Sequence, residues 1–235
     1  MTLHASSTGA GPRSAFLVHG MLGSAESWWR VSDALVESGF RVVALDLPGH
    51  GRSAPDRNAS IESVARDIAA AAAAFSGEGA FDIAIGHSFG GLVLASAAPQ
   101  IRAKRFVFVD APFSTRGGRD VDQTRCEYEA EAAGRTSSQL RLRPDFTARD
   151  VEVEARAAEL FDPATAASIA AGTGGRCWPP AGSLVIRAEA SDYVTPAVAD
   201  DLRGRDLDVV SFAGAKHTVW RTHFDAFWAA LGLDE

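Results

Sequence analysis

Apolar residues follow two alternating rhythms in the first half of the chain. AFLVHG, from Ala15 to Gly20, is a short apolar run stopped by glycine, which predicts a buried strand. SWWRVSDALVESG follows with apolar residues at helical spacing and a glycine at its end. FRVVALDLPGHG predicts a second strand closed by a Pro/Gly turn. SIESVARDIAAAAAAF opens on a serine cap with a glutamate soon after, then keeps a helical period. FDIAIG is again strand-like, GGLVLASAA starts a helix, and AKRFVFVDAP returns to strand. This β-α-β-α order predicts an α/β fold, a mostly parallel sheet with helices on both faces.

The rhythm breaks after Pro112. From Phe113 to Trp178 no clear strand is visible, and stretches such as DVEVEARAAELF and PATAASIAAG are helical in pattern. The breaker cluster GTGGRCWPPAG ends that segment. Strand and helix then alternate again through SLVIRAEA, TPAVADDLRG, LDVVSFAG and RTHFDAFWAALG. The expected organisation is a flexible tail over 1–12, an α/β core over 13–112 and 179–235, and a helical insert over 113–178.

Composition narrows the function classes. A net charge of −7 gives no basic face for nucleic acid. No apolar stretch reaches the length of a membrane span, and the first residues lack the basic start and apolar run of a signal peptide. Cys126 and Cys177 are too few for a disulfide framework and lack metal-ligand spacing, which suits reduced thiols in a cytoplasmic protein. Neither LPGHGRS nor GHSFGG matches a nucleotide-binding glycine pattern, and no metal-binding His-Glu-x-x-His is present. The expectation is a protein without cofactor or metal, acting on a small molecule, with no nucleic-acid or membrane partner. Assembly with copies of itself is compatible with the chain.

The chemistry concentrates at Gly86-His87-Ser88-Phe89-Gly90-Gly91, between the strand FDIAI and the helix LVLASAA. Strand, Gly-x-Ser-x-Gly and helix in that order form a nucleophile elbow. The sharp turn lifts the serine hydroxyl clear of the sheet and sets it at a helix N-terminus, where developing negative charge is favoured. A serine needs a base, and the base needs an orienting acid. Of six histidines, His4 lies in the tail, His87 adjoins the serine and points away from it, and His223 falls in the last helical pattern. His217 sits in a loop directly after the final strand, where catalytic groups of open α/β sheets gather.

With these motifs in order, the chain resembles the α/β-hydrolase superfamily over nearly its whole length. LVHGML resembles the family's oxyanion strand, ALDLPGHGRS its Asp-x-Pro-Gly-x-Gly loop, IRAEASDYVTP its acid loop and GAKHTVW its histidine loop. The resemblance treats His19 and His50 as structural. It implies a triad of Ser88, Asp192 and His217, with Asp192 matching the family's Asp-x-Val-x-Pro. Asp110, at the end of RFVFVD, is the alternative acid, since some dehalogenase-like members carry it there. Backbone N–H groups of Met21 and Phe89 would form the oxyanion hole, and their apolar side chains suggest a dry pocket wall.

The implied activity is a serine hydrolase cleaving a small or medium carboxylic ester, lactone or thioester through an acyl-enzyme. Serine at the elbow argues against epoxide hydrolases and haloalkane dehalogenases, which carry aspartate there. A carbon–carbon hydrolase or a cofactor-free lyase or transferase would use the same triad. A ligand receptor with little turnover is the reading from another class. The insert would form a lid, its arginines Arg116, Arg119, Arg125 and Arg135 either meeting an anionic substrate or solvating a helix face. Trp28, Trp29 and Trp220 are expected in packing or at the pocket rim.

Overall fold

The structure, a computed structural model, describes residues 2–77 and 79–233. Strands β1 (Ala5–Thr8), β2 (Arg13–Val18), β3 (Phe40–Leu45), β4 (Ile83–His87) and β5 (Phe106–Val109) precede the insert. Strands β6 (Ser114–Gly117) and β7 (Thr173–Arg176) bracket it, and β8 (Leu184–Ala188) and β9 (Asp208–Phe212) follow. The main sheet has seven strands in the order β1-β3-β2-β4-β5-β8-β9. All its pairings are parallel except β1 with β3.

Around it lie α1 (Trp29–Glu37), α2 (Ile61–Ser76), α3 (Phe89–Ala97), α8 (Pro196–Arg203), α9 (Val219–Thr222) and α10 (Phe224–Leu231). The insert carries α4 (Val121–Ala133), α5 (Ser137–Leu140), α6 (Ala148–Glu159) and α7 (Pro163–Ala171). Strand alternation divides the core into two layers. Phe16, Val18, Leu45 and Phe108 face α2, α3 and α8 through Ile68, Val93 and Leu202. Leu17, Ile85, Val107 and Ile186 face α1 and α10 through Leu35, Phe227 and Leu231. A sheet covered on both faces explains why its strands read as continuous apolar runs.

Two expectations need correction. The expected tail over 1–12 is held down over its described residues: Ala5–Thr8 pairs antiparallel with β3, and His4 Nδ1 lies 2.9 Å from Asp46 Oδ2. The stretch ASST hides this, because an edge strand needs backbone pairing and no apolar run. The insert also contains strands, since β6 and β7 pair antiparallel and tie its two ends together. They are glycine-bearing and exposed, so no apolar alternation marks them.

The insert packs α4 on α7 and is fastened to the core at several points. Asp162 N–H donates to Gly49 O at 2.7 Å, and Asp56 N–H donates to Thr165 Oγ1 at 2.9 Å. Trp29 Nε1 donates to Asp150 Oδ1 at 3.0 Å, and the Arg149–Asp33 ion pair closes at 2.9 Å. No helix among the described residues is long and apolar enough to cross a membrane.

Candidate active site

Ser88 joins β4 to α3 with φ 52° and ψ −124°, a backbone conformation that side chains rarely adopt. The turn is possible because the neighbouring positions are glycines. A Cβ at Gly90 would sit 2.2 Å from His19 O, and one at Gly86 would sit 2.7 Å from Gly91 Cα. Close packing of strand and helix therefore forces the motif and holds the serine on its sharp bend. Phe89 opens α3, whose first N–H groups have no partner inside the helix. Met21 lies in the turn after His19-Gly20 and lines the same cavity as Ser88.

That turn is fixed by two buried imidazoles. His19 donates through Nδ1 to Gly20 O at 2.7 Å and accepts from Leu47 N–H at 3.0 Å. His50 donates through Nδ1 to Pro48 O at 2.8 Å and accepts from Leu22 N–H at 3.3 Å. Each ring thus bonds as a neutral tautomer. Burial lowers both below the ordinary histidine range, His50 to about 3 with help from the neighbouring His19.

His217 Nδ1 donates to Asp110 Oδ2 at 2.7 Å. Asp110, not Asp192, is therefore the carboxylate on this histidine. Asp110 follows β5 directly, is 1% exposed, and takes φ 45°. Its N–H donates to Ile186 O at 2.7 Å, and its Oδ1 accepts from Ala188 N–H at 3.3 Å. Backbone on both sides aims the carboxylate. Asp192 lies four residues beyond the end of β8, on an exposed loop turned by Ser191, whose Oγ accepts from Tyr193 and Val194 N–H. Strand-end placement brought both carboxylates to the same sheet edge, and the shorter reach from β5 decides between them.

With its Nδ1 proton committed to Asp110, neutral His217 keeps the lone pair on Nε2. Its ring packs on His87 at 4.6 Å and on Tyr193 at 4.8 Å. His87 Nε2 donates to His217 O at 3.2 Å, so the residue beside the serine braces the histidine loop from below. Burial holds His87 well below the usual range, and the nearby His217 adds to this. Trp220 stacks on Trp28 at 4.4 Å and meets His87 edge-on at 4.9 Å. Trp28 and Trp220 both reach the cavity wall, whereas Trp29 anchors the insert. The strand-end position of His87 was the available sign of this role. His223 lies between α9 and α10, not within a helix.

Ser88 and His217 line one cavity of about 380 Å³. Its wall is charged, and the apolar surface expected beside Met21 and Phe89 belongs to a second cavity. Arg119, Arg135 and Arg143 reach it from the insert and Arg221 from α9, beside Glu127, Glu131, Asp145 and Glu154. Arg221 Nη2 donates to buried Glu154 Oε1 at 2.5 Å, and Arg135 Nη1 donates to Glu154 Oε2 at 3.3 Å. Arg125 stays outside, paired with Asp122 and Glu129 on its own helix. A second cavity of about 420 Å³ is mainly apolar and lined by Ile61, Phe89, Ala166, Ile169 and Ala170, with Arg116 at its wall. Met21, Arg119 and Tyr128 line both cavities. Among the described residues no group of three or more histidines, cysteines or acids is placed to hold a metal ion.

Comparison with known proteins agrees with this architecture. The model of the Alpha/beta hydrolase family matches residues 15–230. An epoxide hydrolase of Caballeronia sordidicola is 32% identical over 127 residues, 52% of this chain and 37% of that protein. The matches to curated relatives span about a quarter to two fifths of those proteins' lengths. Among solved structures, an esterase from Exiguobacterium antarcticum superposes with TM-score 0.76 at 14% identity, covering 98% of this chain and 94% of that one. An N-formylmaleamic acid deformylase from Pseudomonas putida S16 gives TM-score 0.76 at 19% identity, covering 97% of this chain and 96% of that one.

Proposed function

The chain belongs to the alpha/beta hydrolase family, and on that premise we propose that it is a serine hydrolase acting on a small or medium carboxylic ester, thioester or lactone. The observation that carries this reading is the Asp110–His217 bond at 2.7 Å on the wall of the cavity that also holds Ser88. Asp110 is the orienting acid in this proposal, in place of Asp192.

Ser88 Oγ attacks the acyl carbon and its proton passes to His217 Nε2. Asp110 keeps the Nδ1 tautomer and stabilises the imidazolium that forms. The N–H groups of Met21 and Phe89 take up the charge on the carbonyl oxygen, aided by the N-terminal end of α3. Collapse breaks the bond to the leaving group, which receives the proton from Nε2. Water then attacks the acyl-enzyme, with His217 again as base, and frees the acid and Ser88. The insert over 113–178 serves as the lid of this site, since it carries most of the cavity's charged wall, from Arg119 to Glu154.

The epoxide hydrolase relative fits this reading less well on chemistry. Opening an epoxide through an enzyme ester starts from a carboxylate nucleophile, and the elbow here carries a hydroxyl. Intact-mass spectrometry after fluorophosphonate treatment tests the proposal. One adduct on the wild type and none on Ser88→Ala is the expected result. A folded wild type that takes no adduct would overturn it.

A further inference from the structure

The two cavities differ in character and share part of their walls. The polar one holds Ser88 and His217, and the apolar one holds Phe89, with Met21, Arg119 and Tyr128 on the shared wall. A carbonyl attacked by Ser88, with its oxygen on the Met21 and Phe89 N–H groups, has one arm toward each cavity. The histidine decides which arm is which. His217 must hand its proton to the leaving group, so that group has to lie on the His217 side. His217 lines only the polar cavity.

We infer that the substrate is an ester with an apolar acyl group, held in the cavity of Phe89, Ile169 and Ala170, and a polar, preferentially anionic leaving group in the cavity beside His217. The inference rests on the serine reading above and adds the orientation and chemical class of the substrate. Ile61, Phe89, Ala166, Ile169 and Ala170 offer carbon to the acyl arm, and the cavity's charged groups are confined to Arg116 and Arg119. A volume of about 420 Å³ is within the range of small-molecule sites.

The sign of the leaving group comes from the ion pairs of the polar cavity. Arg119 pairs with Glu127, Arg135 with Glu131 and Glu154, Arg143 with Asp145, and Arg221 with Glu154. Among the described residues, Lys216 is the cavity cation with no acid partner, and it immediately precedes His217. Arg221, its side chain only 8% exposed, is already held between two carboxylates, Glu154 and Asp150, whose Oδ1 lies 3.7 Å from its Nε. A carboxylate on the departing alcohol would meet Lys216.

An inverse-ester pair tests this on the wild-type protein. The hexanoate ester of 3-hydroxypropionate places the apolar arm on the acyl side, and monohexyl succinate places it on the alcohol side. The expected kcat/KM is at least tenfold higher for the first. Ala170→Phe, at a half-buried position of the apolar wall, should lower kcat/KM for the hexanoate ester at least tenfold and for the corresponding acetate ester less than twofold. Lys216→Gln should raise KM for the anionic hexanoate ester several-fold more than for glycerol monohexanoate. An Ser88 adduct with fluorophosphonate, together with equal, reversed or absent turnover of the inverse pair, would overturn the orientation alone. Equal effects of Lys216→Gln on the two hexanoates would overturn the anionic preference. Lack of the adduct on folded protein would remove the serine reading and this one with it.

Discussion

The cavity of Ser88 and His217 has two walls built on different principles. The strand-end wall, with Ser88, Asp110 and His217, is aimed by backbone: Asp110 alone engages the main chains of Ile186 and Ala188. The insert wall, with Arg119, Arg135 and Glu154, is aimed by side chains bonding to side chains. Backbone-held groups have few alternatives, because the sheet register fixes them. Ion pairs among long side chains can exchange partners, and so can accommodate a ligand. The first wall suits bond-making chemistry and the second suits recognition.

The sharpest way to break this contrast is at the two strand-end carboxylates. Asp110→Asn keeps the size of the side chain but offers an amide to His217 Nδ1, which favours the wrong tautomer. Its kcat should fall by about 10³- to 10⁴-fold. Asp192→Asn, on its exposed loop, should stay within about twofold of wild type. The reverse pattern in steady-state kinetics would transfer the acid role to Asp192 and make the strand-end wall a scaffold only.

Acid should weaken the strand-end wall in particular. His19, His50 and His87 are buried and held below their ordinary value of 6.5, chiefly by desolvation. In the unfolded chain each takes up a proton as pH falls through about 6.5. Between that value and the folded values, which for His50 is about 3, the unfolded state binds more protons. Stability is therefore complete above about 6.5 and falls as pH drops, by about 1.4 kcal/mol per pH unit for each histidine. Urea unfolding between pH 7 and pH 5 checks this through the midpoint at constant m. A flat profile would mean that these rings charge as readily in the fold as outside it.

The same contrast explains how much was legible in the chain. Strands β2, β4, β5 and β8 are buried on both faces, so their apolar runs announce them, and the glycines around Ser88 announce the elbow. The edge strand β1 is short and polar and leaves no such trace. The choice between Asp110 and Asp192 was illegible for a geometric reason: β5 and β8 are neighbours, and only a few residues of reach separate their carboxylates. The cavity's charge was illegible because Glu127, Glu131 and Arg135 look like any solvated helix face until the rotation of α4 over the sheet is known. Lys216 and Tyr128 carried no pattern at all.

On the insert wall, Glu154 is the junction. It is 4% exposed and serves two guanidiniums, one from α9 of the core and one at the end of α4. Glu154→Gln should cost about 2 to 3 kcal/mol, since it leaves buried Arg221 with only the longer contact to Asp150 while Arg135 retains some access to water. Thermal unfolding of the variant reads this directly. A loss as small as that of an exposed pair would show that the insert is held by Trp29–Asp150, Thr165 and Asp162 without help from the buried ions.

The smallest effect marks the outer edge of the insert wall. Arg125 is partly exposed on α4 and bonds to Asp122 and Glu129 at helical spacing. These partners raise its pKa, yet the guanidinium is charged at every accessible pH with or without them. Arg125→Ala should leave Tm and kcat/KM unchanged within error, because exposed i,i+3 and i,i+4 pairs are screened by water and salt. Arg135→Ala, one helical segment away but joined to Glu154 and the cavity, should change both. If the two arginines behaved alike, the charges of α4 would form one diffuse field, and the division between a solvated face and a substrate-facing wall would fail at the helix that defines it.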